Sequence, residues 1–253
     1  MVAFVKQTVD LHSEPVVTQQ RVVKGVTYSA VIGGRPGSRL IQGRQPVTKF
    51  VQDAGAVAGI NGAFFVMTAI KSNDSRMIGP VVSETGSHVV PFLARPHMER
   101  LEGRPLVLWN AKSIAFIPYQ WTMNSAQALE GELPEVSGGF VGGAWLVVDG
   151  RPLTREEIRA HGPKDADTPR RRAAFGVTKS GAVCLLAASG SVPSSRLGEA
   201  AAEFGCSYAV LLDSGFSTSL VYGGRTLVSG DSTSKTPSRP VPHAIVLYGP
   251  TVR

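Results

Sequence analysis

The sequence predicts an α+β fold, a mixed, β-rich sheet core carrying a few short helices. Three observations predict it. Glycine and proline (28 and 17 residues) punctuate the whole chain, short β-like runs recur between them, and helical periodicity surfaces in few places. Taken in order, residues 1–11 alternate apolar and polar side chains and read as a strand. Further strand runs cover 21–32, 81–90, 106–109, 113–117, 144–148, 173–178 and 182–187. Residues 47–54, preceded by Pro46, form a short helical candidate. Residues 154–160 are better, with Thr154 as N-cap and Glu157 three residues on, a capping box. Residues 195–204 are best. They open on Ser195, place Leu197, Ala201 and Phe204 on one face, and stop at Gly205. Tyr222-Gly-Gly-Arg225 sets two glycines between apolar runs, a two-residue hairpin signal. The polar stretch 162–169 reads as a flap or a subdomain junction.

The whole chain bounds the function. Its 253 residues suit one large domain or two small ones, and 43% hydrophobic against 18% charged residues marks a folded chain with a sizeable core. No apolar run approaches the ~20 residues that span a bilayer. The first residues show no basic segment leading into an apolar core, so no signal peptide is visible, and a complete chain of this kind is expected in the cytoplasm. Cys184 and Cys206 lie in apolar settings and read as buried thiols. The five histidines are scattered, so neither a metal site nor a cofactor is signalled. A net charge of +7 points to an anionic partner, with local clusters at Arg170-Arg171-Arg172, 95–104 and 235–239. Few aromatics interleave with these clusters, which argues against a nucleic-acid groove. The oligomeric state is not legible.

Chemistry concentrates around Asp213. The apolar run 208–212 delivers this one carboxylate into Ser214-Gly-Phe-Ser-Thr-Ser219, and a second apolar run leaves that loop. Short side chains and free N–H groups at such a strand end let a ligand approach, although an ordinary turn has the same composition. Ala58-Gly-Ile-Asn-Gly-Ala-Phe-Phe65 offers two readings. Asn61 and Gly62 form a tight turn over core aromatics, or their amide and N–H face a ligand. Pro169-Arg-Arg-Arg-Ala runs from a basic loop into a strand, and alternation points Arg172 to the face of Ala174. Ser238-Arg-Pro-Val-Pro-His243 opens the last strand with Arg239 and His243. Arginine suits bidentate phosphate recognition, although many arginines only solvate a loop. Nucleophile motifs are weak: Gly215-Phe-Ser-Thr-Ser219 lacks the final glycine of an elbow. Ser232-Thr-Ser-Lys235 is a pattern that short hydroxyl-rich loops produce by chance, and Asn73-Asp-Ser75 is a formal glycosylation sequon.

Together these pieces resemble the phosphodiester glycosidase family, as a divergent, bacterial-type member. Asn61-Gly-Ala-Phe-Phe65 is similar to the family's Asn-Gly-Gly-Phe-Phe. Arg172-Ala-Ala-Phe-Gly176 is similar to its arginine before a short strand ending in glycine. Leu212-Asp-Ser-Gly-Phe-Ser-Thr-Ser219 stands where the family has Leu-Asp-Gly-Gly-Gly-Ser-Ser-Thr, and Arg239-Pro-Val241 matches a late Arg-x-Val. Order and spacing agree from about Gly25 to Leu247. Two glycines of the triple-glycine loop are here Ser214 and Phe216, and a phenylalanine at that point is expected to fill part of the pocket. The resemblance implies a single domain over 1–253. It also implies hydrolysis of a sugar-1-phosphate diester at the anomeric carbon, with a phosphate-bearing small molecule or glycan as partner. By the same resemblance Asp213 acts as base or nucleophile, with Glu84 as a second carboxylate. Asn61, Gly62, Arg172, Gly215, Ser217, Thr218, Arg239 and His243 bind substrate. The loop departures leave a rival, a non-catalytic glycan or phosphoglycan binder on the same fold.

Overall fold

The computed structural model describes residues 4–66, 76–88, 99–163, 165–231 and 238–251. The expected α+β architecture is present, with three antiparallel sheets and a few short helices among the described residues, two of the helices packing across several strands of one sheet. The six-stranded sheet runs β1 (Gln7–Asp10), β9 (Ser113–Pro118), β8 (Pro105–Trp109), β10 (Gly138–Val141), β6 (Val81–Ser83) and β7 (Gly86–His88). The seven-stranded sheet runs β12 (Arg151–Pro152), β11 (Trp145–Val148), β15 (Cys206–Leu211), β13 (Ala173–Thr178), β14 (Val183–Ala188), β3 (Val26–Ile32) and β2 (Val17–Val23). The five-stranded sheet runs β17 (Arg225–Ser229), β16 (Ser219–Tyr222), β5 (Ala58–Asn61), β18 (Val241–Tyr248) and β4 (Arg35–Gln45). The helices are α1 (Val47–Asp53), α2 (Ala126–Glu132), α3 (Arg155–His161) and α4 (Ser194–Glu203). No helix among the described residues is long and apolar enough to cross a membrane.

The three sheets meet in one aromatic cluster. Trp109 stacks on Phe175 at 5.7 Å between ring centroids, Phe140 meets Phe175 edge-on at 5.6 Å, and Phe140 lies 6.1 Å from the His243 ring. These four residues come from the six-, seven- and five-stranded sheets, so the cluster ties all three together. The two glycines of β10 make this packing possible. A Cβ on Gly138 would lie 2.3 Å from the Trp109 ring, and one on Gly139 would lie 2.5 Å from the Leu108 side chain.

Two expected runs prove to be hairpins. The 21–32 run breaks at Lys24 and Gly25, both with positive φ (47° and 80°), the geometry of a two-residue turn matched to strand twist. The 81–90 run folds back at Glu84-Thr85, and its last two residues lie outside the described ones. The stretch 232–235 and the sequon at 73–75 also lie outside the described residues. The capping box of α3 forms as expected, with the Thr154 hydroxyl accepting from the Glu157 N–H and the Glu157 carboxylate accepting from the Thr154 N–H. At α4 the cap comes from elsewhere: Pro193 holds the N-cap position, and Asp167 Oδ1 accepts from the Ser195 N–H at 3.3 Å. The polar stretch 162–169, read as a flap or a subdomain junction, is thereby pinned at Asp167. Asp167 also pairs with Arg155 Nε at 2.8 Å, and Ser194 Oγ donates to the carbonyl of Ala166.

Candidate active site

Asp213 follows the end of β15, where the chain leaves the centre of the seven-stranded sheet. Its main chain is tied to the five-stranded sheet. The Asp213 N–H donates to the carbonyl of Gly62 at 3.1 Å, and Asn61 Nδ2 donates to the carbonyl of Asp213 at 2.7 Å. Asn61 Oδ1 accepts from the Ser219 N–H at 3.0 Å. One buried amide therefore clasps both ends of the 213–219 loop. Of the two readings of this stretch, the tight turn accords with these contacts, since the Asn61 amide that the family resemblance assigned to substrate is engaged with main chain on both sides.

Asp213 is buried, with its side chain 12% exposed. Its Oδ1 accepts from the Ser214 N–H at 2.8 Å, and its Oδ2 lies 3.6 Å from Arg239 Nη2, an ion pair without a hydrogen bond. Burial pushes the carboxyl pKa up. Hydrogen bonding from Ser217, the charges of Arg239 and Arg170, and the Ser214 N–H oppose that without cancelling it. Arg239 is held in turn. Its Nη2 donates to Ser217 Oγ at 2.5 Å, its N–H donates to the carbonyl of Phe216 at 2.8 Å, and its guanidinium sits 5.2 Å from the Phe65 ring centroid. Its Nε is buried and lacks a hydrogen-bond partner. A buried guanidinium N–H in that state is a donor awaiting an acceptor.

Gly62 and His243 form the floor. A Cβ on Gly62 would lie 2.1 Å from His243 Nδ1, so only glycine fits above this ring. His243 Nδ1 accepts from the Ala63 N–H at 3.0 Å. The ring proton is thereby on Nε2, which donates to Ser38 Oγ at 3.0 Å. Complete burial depresses the imidazole pKa to about 3. His243 is thus a neutral brace beneath the 61–63 turn, with both ring nitrogens engaged.

The arginine segment runs alongside the Asp213 loop. The carbonyl of Arg171 accepts from the Gly215 N–H at 2.8 Å and from Thr218 Oγ1 at 3.0 Å, which fixes both residues. Gly215 takes a positive φ of 71°. A Cβ there would sit 3.4 Å from Asp231 Oδ2 and 3.7 Å from Arg170 Cδ. Arg170, whose charge acts on Asp213, and Asp231, whose carboxylate accepts from the Arg171 N–H at 3.1 Å, were not singled out from the sequence. For Arg170 the signal was there, because in an extended segment it shares a face with Arg172. Arg172 itself is buried, and Nη2 donates to the carbonyls of Asp165, at 3.2 Å, and Thr168. Desolvation lowers its pKa to about 10. Its described hydrogen bonds secure the 165–168 loop and do not reach Asp213.

Glu84 lies elsewhere. Its carboxylate pairs with Arg39 Nε at 2.9 Å and accepts from the Tyr248 hydroxyl at 2.9 Å. It lines a cavity of about 410 Å³ with Arg35, Trp109, Asn110, Glu135 and Tyr248. None of the other residues expected at the site lines that cavity. Among the described residues no group of three or more His, Cys, Asp or Glu is arranged to hold a metal.

The loops that gather around Asp213 lie at residues 61–65, 170–172, 213–219 and 238–243, in the order the family motifs require. The family model described as phosphodiester glycosidase matches residues 54–248, most of the chain and every one of these loops. The chain belongs to the phosphodiester glycosidase family. No curated protein matches it in sequence. Among solved structures, this family member is similar to the zebrafish N-acetylglucosamine-1-phosphodiester alpha-N-acetylglucosaminidase catalytic domain auto-inhibited by its pro-peptide. The TM-score is 0.70 at 12% identity, over 97% of this chain and 89% of that one. It is also similar to a hypothetical protein from Synechocystis, with a TM-score of 0.62 at 16% identity, over 92% of this chain and 64% of that one. At such identities the likeness establishes the phosphodiester glycosidase fold.

Proposed function

We propose that this chain is a hydrolase that cleaves a sugar-1-phosphate diester at the anomeric carbon, releasing free sugar and a phosphomonoester. The observation that carries the reading is the Asp213–Arg239 pair, 3.6 Å apart in one buried loop system, with an unpartnered N–H on the arginine. In the reaction the bond from C1 to the phosphate oxygen breaks, and its electron pair stays on the phosphate. That leaving group is already a weak base, so neutralising its charge matters more than protonating it. Arg239 and Arg170 supply the positive charge. Water delivers its oxygen to C1, and its proton passes to Asp213. Burial has raised the proton affinity of that carboxylate, which suits it to accept. Asn61 and His243 act as positioning residues, since their contacts fix the loops and touch no open space. Ser217 links the two charged groups and sets the arginine's direction. Glu84 and Arg172 receive no role in this mechanism.

The solved relative's name specifies an N-acetylglucosamine-1-phosphodiester, so a methyl diester of that sugar phosphate is the first probe. Incubation followed by chromatography is expected to yield free sugar and methyl phosphate. Sugar-1-phosphate plus methanol would reject cleavage at the anomeric carbon. Saturable binding of a panel of such diesters without turnover would leave the glycan-binding reading in its place.

A further inference from the structure

Among the described residues four large hydrophobic side chains are strongly exposed: Val5, Val22, Trp121 and Phe216. Of these, Phe216 stands on the loop that carries Asp213. The sequence led us to expect this residue to fill part of the pocket, and in the fold it is 53% exposed. Its main chain is fixed. The carbonyl accepts from the Arg239 N–H at 2.8 Å, and Gly230 packs so closely that a Cβ there would lie 2.5 Å from the Phe216 oxygen. A phenyl ring presented to water on an immobile turn contributes little to the free chain and is poised to cover an apolar face.

The neighbours of Phe216 say which part of a substrate it meets. Gly215 on one side borders Arg170, and Ser217 on the other holds Arg239. Phe216 therefore sits in the chain between a residue that borders one arginine and a residue that holds the other, whereas Asn61 clasps the loop at its ends. We infer that Phe216 is an aromatic platform for the group esterified on the far side of the phosphate, and that the substrates are diesters whose second alcohol carries a flat apolar ring. This rests on the assignment of phosphate to Arg239 made above.

The test titrates the full chain calorimetrically with benzyl phosphate and methyl phosphate, which share the phosphate and its charge and differ in the flat apolar group. Benzyl phosphate is expected to bind roughly five-fold tighter, the scale of one aromatic contact. Phe216→Ala should abolish the preference, Phe216→Trp should keep it, and Arg239→Gln should weaken both phosphates. Because the ring is exposed, the melting temperature of Phe216→Ala should match the parent. Equal affinities in the unaltered chain, or a preference that survives Phe216→Ala, overturn the inference. Failure of both phosphates to bind removes the phosphate assignment and the platform with it. A benzyl preference in a chain that hydrolyses no diester keeps the platform and rejects the hydrolase reading.

Discussion

The Asn61 amide satisfies the carbonyl of Asp213 and the N–H of Ser219 at once, and it is fully buried. Asn61→Ala would orphan both groups, each costing about 1–3 kcal/mol. Urea unfolding should show a loss of at least about 2 kcal/mol, and an unchanged midpoint would mean that the clasp is dispensable. His243 carries a pH dependence of definite sign. Its folded pKa, about 3, lies below the ordinary 6.5, so the unfolded chain takes up a proton that the folded chain refuses. The stability this contributes is complete above pH 6.5 and is lost as pH falls toward 3, at about 1.4 kcal/mol per pH unit. Urea midpoints for His243→Gln should fall less steeply between pH 6.5 and 4.5 than those of the parent, and equal slopes would contradict the neutral brace. Asp213 has the opposite sign. Its raised pKa means that its contribution is complete below the ordinary carboxyl pKa and is lost as pH rises through the folded value. Asp213→Asn is therefore expected to melt no lower than the parent at pH 7, with the gap closing near pH 3. An acid whose burial opposes its own charged form fits a group kept for chemistry.

Among the elements, those with a strong local signal were legible. The capping box of α3, the apolar face of α4 and the Gly223-Gly224 hairpin follow from residues within one turn of each other. The strand β4 was not read because Pro36, Gly37 and Gly43 interrupt any alternation. It is an edge strand, paired with β18 alone, where proline and glycine are tolerated. The strand that holds Gly138 and Gly139 was not read either, because the Trp109 ring that packs over them comes from a distant part of the chain. The cap of α4 was also invisible, since Asp167 reaches Ser195 across a loop. Asp167→Ala should cost about 1–2 kcal/mol in thermal unfolding through loss of that cap and of the Arg155 pair. A shift no larger than that of an exposed control substitution would show that the 165–168 loop is held by Arg172 and Ser194 without it.

At the scale of the whole molecule, the antiparallel sheets bring loops from distant parts of the chain to one acid. The motifs predicted which loops would meet around Asp213, because glycine, asparagine and arginine at strand ends leave a pattern in the sequence. They did not predict the division of labour among the side chains. Whether an arginine's side chain is taken up by neighbouring carbonyls depends on where the adjoining loop runs, as Arg172, held by the carbonyls of Asp165 and Thr168, illustrates. The central claim is that water attacks the sugar carbon in a step that needs the Asp213 carboxylate. Hydrolysis of a sugar-1-phosphodiester in ¹⁸O-labelled water, with the released phosphomonoester read by mass spectrometry, tests it most directly. The account predicts an unlabelled phosphomonoester and a labelled sugar, with Asp213→Asn slowed by about 10²-fold or more while remaining folded. Label in the phosphate, or an Asp213→Asn rate within a few-fold of the parent, would contradict it.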